Sequence, residues 1–312
     1  MREPAGPTRT AGDNGRTTMT KDIRTQAGRD RFVILHFHIF KNAGSTLEHI
    51  LARNFGDDLV AFHGAHDDAR LWAEDVLRLL DDHAGIRAIT SHHLRYPKPA
   101  RRDVVVHDIC FIRHPLARIR SLYFYGRKLD PAHWLGALAQ RHDEKAFVAH
   151  LLEVSPDSVS DVQVHFLAQG AAFARPCNHE DLRLAEAIVR DAAVAGVVEM
   201  FDESLAAAEY FLRPAFPGID FAYAPKNVSS PHPLAHSRTT EELSLSCRQA
   251  WGDRLYEAVE RLNGFDMALY QAARSEVARR FSMVPDAGRK LEDLRVRCAR
   301  QRSDADASGQ AA

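Results

Sequence analysis

Cysteine is scarce in this sequence: four residues in 312, Cys110, Cys177, Cys247 and Cys298, with no CxxC pair. Such usage excludes a disulfide-stapled scaffold and a zinc-ribbon signature, and reads as reduced thiols. Charge of one sign is equally lacking. Lys and Arg number 41 against 42 Asp and Glu, a formal net charge of −1. No bulk field draws the chain to nucleic acid or an anionic membrane, so anion recognition has to be local. Long hydrophobic runs are absent too; stretches such as 192–198 are too short to span a bilayer. Residues 1–30 hold almost no large apolar side chain and no apolar h-region, so a disordered tail and no signal peptide are expected. The expectation is a cytoplasmic chain with no nucleic-acid partner and no transmembrane segment.

What is present is an ordinary globular balance, 45% apolar and 27% charged, in a length that suits one large α/β domain. The run "FVILHFHI", 32–39, reads as a buried strand. Leu47, Ile50, Leu51 and Phe55 then mark one helix face that stops at Gly56. Ala69, Trp72, Val76 and Leu80 mark a second helix, with Asp67 or Asp68 as its cap. "IRAITSH" and "HDICFIR" give two more strands, and a helix starts at Pro115. "VAGVVEMF" is a fourth strand, followed by the helix "DESLAAAEYFL". This alternation predicts an α/β class, a P-loop-NTPase-like three-layer fold with a central parallel sheet flanked by helices. The domain is expected over 31–284, with 126–191 a mostly helical insertion over the sheet. A charged helix and a disordered tail, "RQRSDADASGQAA", would complete 285–312.

The segment "FKNAGSTLEHIL", 40–51, follows the first strand as a phosphate loop would, but it lacks the G-x-x-x-x-G-K order. Lys41 precedes the glycine. Ser45 and Glu48 read as a capping box that starts the helix at Ser45. The amides of residues 44–47 are then unpaired donors at the positive end of a helix, a ready anion site. Gly44 lets the backbone approach a ligand, and Ser45 and Thr46 add hydroxyls. This suits an anion with one reactive bridge better than a magnesium-bound triphosphate.

"CFIRHPLARIRSLYFY" supplies a second anion element. Arg113 stands at a strand end, and Ser121 returns to its face about two helical turns on, making a guanidinium-plus-hydroxyl clamp for an isolated phosphate. Leu116, Ile119 and Tyr123 face the core, while Arg118 and Arg120 read as solvated or paired. Two anion elements on neighbouring strands ask for a ligand phosphorylated at two places.

The pair of motifs resembles the sulfotransferases that use 3′-phosphoadenosine 5′-phosphosulfate (PAPS), most nearly the carbohydrate sulfotransferases and their soluble bacterial relatives. The likeness continues more weakly through "DVQVHFLAQG", "VVEMFDESL", "PKNVSS" and "RLNGFDMALY", and so covers residues 32–270. It implies that Lys41, Asn42, Ala43, Gly44, Ser45 and Thr46 hold the 5′-phosphosulfate and that Arg113 and Ser121 hold the 3′-phosphate. Many relatives have proline at the position of Phe40 and threonine at that of Asn42, which here can still donate to an anion.

Sulfuryl transfer to an alcohol needs a group that takes the hydroxyl proton. His92, at the end of "ITSHH", is the residue the resemblance assigns, with His93 second; both belong to a chain of 17 histidines. His36 and His38 share a strand face without a third metal ligand, and His63 and His66 read as loop residues. "RYPKPARR", 95–102, reads as a solvated basic loop. The resemblance implies in-line transfer of a sulfuryl group from PAPS, with no metal required. The acceptor would be a hydroxyl of a glycan, a glycolipid or a small molecule. A small-molecule or nucleotide kinase and a non-catalytic nucleotide-binding module are the alternatives. The proline-rich "PKNVSSPHP" is read as a loop over the nucleotide.

Overall fold

The computed structural model describes residues 31–64, 66, 69–224 and 239–309, with side chains to 303. The tail 1–30, the cap candidates Asp67 and Asp68, and the loop 225–233 lie outside the described residues. In chain order the elements are β1 (Arg31–Phe37), α1 (Gly44–Phe55), β2 (Leu59–Ala61), α2 (Ala73–Asp82), β3 (Ala88–Ser91), β4 (Val104–Ile112), α3 (Pro115–Gly126), α4 (Trp134–Arg141), α5 (Glu144–Val154), α6 (Val162–Ala168) and α7 (His179–Asp191). They continue with β5 (Val194–Val197), α8 (Phe201–Leu212), α9 (Thr240–Trp251), α10 (Asp253–Arg261), α11 (Gly264–Ser282) and α12 (Ala287–Gly309).

All five strands are parallel, in the order β2-β3-β1-β4-β5. Strand β2 is an edge of only three residues, too short to carry a period-2 pattern, and it escapes a reading of the sequence. Residues alternate across β1. Val33, Leu35 and Phe37 enter an apolar cluster with Val76 and Leu80 of α2 and with α7 and α11. Ile34 faces the other way, onto Leu47, Ile50 and Leu51 of α1 and onto α8 and α12. Each such buried side chain contributes about 1.5–3 kcal/mol relative to exposure. A third cluster joins α3, α4, α5, α9 and α10, so the helical stretch 126–191 divides between it and the sheet.

Several boundaries differ from expectation for local reasons. Helix α2 begins at Ala73, so Ala69 and Trp72 precede it; the Asp75 carboxylate accepts from the Trp72 N–H at 2.9 Å and sets the start there. Strand β5 stops at Val197, because residues 198–200 already coil into a 3₁₀ turn that runs into α8. Helix α12 reaches Gly309, well into the stretch read as a tail.

The chain leaves β1 toward β2 and leaves β4 toward β5, in opposite directions across the sheet. A crevice therefore opens between the carboxyl ends of β1 and β4, where open α/β sheets bind their ligands. No helix among the described residues is long and apolar enough to cross a membrane.

The fit of β4 against β5 rests on one glycine. Gly196 pairs with Phe111, and a Cβ at Gly196 would lie 2.3 Å from that ring. Gly196→Ala is expected to destabilise by about 1–3 kcal/mol through overpacking. A urea titration should show a lower midpoint at unchanged slope; an unchanged midpoint would mean the ring moves aside freely.

Candidate functional site

The loop between β1 and α1 is held in a costly conformation. Lys41 and Ala43 both lie in the left-handed region, at φ 69° and 63°. For non-glycine residues this costs about 1–3 kcal/mol each and persists only where surrounding contacts enforce it. The enforcing contacts come from Asn42 between them. Its side chain is buried and donates to the Phe111 carbonyl at 2.7 Å and to Gln163 Oε1 at 2.8 Å. Asn42 therefore anchors the loop to β4 and α6, and its side chain does not face a ligand as expected.

Two further readings of this loop need correction. Helix α1 begins at Gly44, behind Ala43, with no side-chain cap, so Ser45 and Glu48 form no capping box. Ser45 already sits inside the first turn, where its hydroxyl is exposed. The Thr46 and Leu47 amides both donate to the Ala43 carbonyl, at 3.1 and 3.2 Å. Of the four expected donors, the Gly44 and Ser45 amides are left without a backbone partner among the described residues. Gly44 has a second reason to be glycine. A Cβ there would fall 1.7 Å from Nε2 of His38, so glycine is required because the His38 ring packs against the helix start.

Arg113 lies just past β4, is 5% exposed, and donates from Nη1 to the Lys41 carbonyl at 2.8 Å. The two cations expected from the motifs are thus neighbours. Glu199 stands 3.9 Å from Arg113 Nε, and both of those atoms lack a hydrogen-bond partner. Burial lowers the Arg113 pKa and raises that of Glu199; arginine retains its charge regardless. The ammonium of Lys41 lies 4.0 Å over the Tyr125 ring, a cation–π contact from α3. Desolvation, then the Arg113 and Lys128 charges, push its pKa down to about 7. An arriving anion would offset the repulsion and raise that pKa. Ser121 is buried on α3, but no contact among the described residues ties it to Arg113.

His92 follows β3, which flanks β1 on the side away from β4, and its ring lies 5.8 Å from that of Phe40 at the start of the loop. Its Nδ1 lies 3.0 Å from the His38 carbonyl. A carbonyl can only accept, so Nδ1 carries the proton and Nε2 keeps a lone pair. Burial leads the causes that lower its pKa to about 4, so the ring is neutral at pH 7. His93 differs: its Nδ1 accepts from the Gly64 amide at 2.8 Å, which places the neutral ring's proton on Nε2. The rings of His38 and His92 lie 3.6 Å apart, and His36, His63 and His93 extend this group. His63 is therefore part of a histidine cluster and more than a loop residue. No group of three or more ligating side chains among the described residues is placed to hold a metal.

The basic stretch after His93 is tied down, against expectation. Arg95 is buried and bonds the Gly170, His92 and Leu94 carbonyls, Lys98 pairs with Asp108 at 2.6 Å, and Arg101 bridges Asp81 and Asp103. Arg118 is 1% exposed and donates to the Ser158 carbonyl, while Arg120 pairs with Glu144 at 3.0 Å. Leu116 and Ile119 face the core, and Tyr123 is half-buried beside them.

Sequence reasoning missed Gln163, Asp266, Glu199 and Tyr125. The signal for the first two was a polar residue set inside a largely apolar helix segment, "VQVHFLA" and "GFDMALY". A separate cleft of about 470 Å³, bordered by Tyr210, Arg213, Lys290 and Arg297, lies between α8 and α12 and shares no residue with the site.

Because the His38 ring occupies the space beside Gly44, Gly44→Ala should destabilise by about 1–3 kcal/mol. Most of that loss should disappear when Gly44→Ala is made in a His38→Ala background, read as a double-mutant cycle in urea. An equal cost in both backgrounds would assign the need for glycine to something other than this contact.

No protein-family model matches the chain. A protein of Archaeoglobus fulgidus described only as uncharacterized is 28% identical over 251 residues, covering 78% of this chain and 96% of its own length.

Proposed function

We propose that this chain is a PAPS-dependent sulfotransferase on a P-loop-like three-layer fold, acting on a hydroxyl of a carbohydrate or glycoconjugate. The observation that carries the reading is the meeting of Lys41 and Arg113 at the crevice between β1 and β4. Two desolvated cations are concentrated beside free backbone amides in a chain whose net charge is −1. That arrangement fits a ligand that brings more than one anionic group, and the missing G-x-x-x-x-G-K argues against a magnesium-bound triphosphate.

PAPS supplies a sulfuryl group joined through one bridging oxygen to a 5′-phosphate. The Gly44 and Ser45 amides, the Ser45 and Thr46 hydroxyls and Lys41 would hold that end. Arg113 would face the 3′-phosphate, joined by Ser121 if its hydroxyl turns to the same side. His92 accepts the acceptor's hydroxyl proton on Nε2, the nitrogen its hydrogen bond leaves free for the purpose. Lys41 neutralises the charge that develops on the departing oxygen.

Calorimetric titration with adenosine 3′,5′-bisphosphate, against ADP with magnesium, tests the reading. Tight binding of the bisphosphate and little binding of ADP is expected. The reverse order would favour a kinase, and no binding of either would overturn the proposal. His92→Ala should leave bisphosphate affinity intact while turnover falls roughly 10²–10⁴-fold, and Lys41→Ala should abolish transfer. Retained turnover would remove that residue from the mechanism.

The charge state of Lys41 gives a pH signature. Its pKa is about 7 in the free protein, and a bound anion raises it. Bisphosphate affinity should therefore be greatest below pH 7 and fall as pH rises above it, with proton uptake on binding near pH 8. The acid limb of kcat/KM should lie near pH 4, where His92 becomes protonated, and not near the ordinary 6.5. Titrations in two buffers of different ionisation enthalpy check the first, and initial rates from pH 3.5 to 7 the second.

A further inference from the structure

We propose that Gln163 is a positioning residue that sets the spacing between the two anion-binding elements. It would thereby give the site its preference for a ligand with two separated anionic groups over a ligand with one. This proposal rests on the sulfotransferase reading.

Gln163 is fully buried, and every hydrogen-bonding group of its side chain joins two parts of the site. Oε1 accepts from Asn42 Nδ2 at 2.8 Å and from the Arg113 amide at 2.9 Å. Nε2 donates to the Arg113 carbonyl at 2.9 Å and to Asp266 Oδ2 at 3.2 Å. One planar amide thus grips the backbone of Arg113 on both sides and holds the loop residue that separates Lys41 from Ala43. Its own placement is secured by Asp266 of α11, whose carboxylate accepts from the Gln163 amide at 3.0 and 3.1 Å and from the Val164 amide at 2.8 Å. Asp266 in turn donates from its amide to Asp161 at 2.9 Å.

The chemistry requires glutamine. Two donors approach Oε1 while two acceptors face Nε2, so an amide matches all four partners. A carboxylate would set negative oxygens against the Arg113 carbonyl and Asp266, and an apolar side chain would strand partners on both sides. The strands themselves stop at Phe37 and Ile112, short of Lys41 and Arg113, so the sheet ladder does not reach the ligand-facing residues. Beyond the ladder, the Gln163 bridge and the Arg113–Lys41 bond hold them together.

A glutamine that merely filled the core would affect all ligands alike; one that sets a spacing affects their ratio. The experiment is calorimetric binding of adenosine 3′,5′-bisphosphate and of AMP to wild type, Gln163→Met and Asn42→Ala. Melting curves establish that each variant is folded, and Asn42→Ala cuts the same bridge from the loop side should Gln163→Met fail to fold. In wild type the bisphosphate should bind roughly ten- to hundredfold more tightly than AMP, the scale of one charge-assisted phosphate contact. In a folded variant that ratio should collapse toward one, with the bisphosphate losing far more affinity than AMP. A preserved ratio, or an equal loss for both ligands, would overturn the positioning role and leave the sulfotransferase reading intact. Absence of the preference in wild type would overturn that reading, and this proposal with it.

Discussion

A parallel β-ladder ends where its strands end, and a site assembled beyond the strands needs another means of keeping register. Here that means is a buried amide. Gln163 carries the alignment of β1 and β4 past Phe37 and Ile112 to the residues that face the crevice. In a low-dielectric interior a fully matched polar group is rigid, because every partner it abandoned would be left unsatisfied at about 1–3 kcal/mol. The left-handed conformations of Lys41 and Ala43 are held against their intrinsic cost by this arrangement, since Asn42 between them is fixed at both Phe111 and Gln163.

The electrostatics follow from the same close packing. Lys41 and Arg113 are brought together and partly stripped of water; burial lowers both pKa values, and the Arg113 charge further lowers that of Lys41. Around His92 burial acts in the opposite functional sense. His36 and His38 are also pushed down by burial and by their neighbours, so these two rings stay neutral beside His92, which keeps an available lone pair. The carbonyl of His38 orients that base, and the ring of His38 packs against Gly44. One residue thus touches both the start of α1 and the candidate base.

Much of the framework was legible from the chain. The apolar runs placed four of the five strands, Pro115 marked the start of α3, and Gly56 marked the end of α1. Lys41, Arg113 and His92 could be chosen because each stands directly after a strand. What misled was chemistry read locally. Ser45 and Glu48 have capping-box spacing, but the helix begins one residue earlier and the box never forms. Asn42 looked like an anion donor because it lies in the loop, yet its amide turns inward to β4 and α6. The stretch 95–102 looked solvated because it is charged, although several of those charges end on buried carbonyls or carboxylates.

Strand and helix order, the parallel sheet and the placement of cations and a histidine at strand ends are determined by the sequence itself. They follow from periodicity and from which residues adjoin an apolar run, both properties of neighbours along the chain. Which way Asn42 points, why Gly44 must be glycine, which of two adjacent histidines keeps its Nε2 lone pair, and what holds Arg113 beside Lys41 were decided only by the tertiary structure. Each depends on a hydrogen bond or packing contact that no local pattern announces: Gln163 for Asn42 and Arg113, and His38 for His92 and Gly44. A buried polar group takes the partner that folding delivers, and no local pattern encodes that partner.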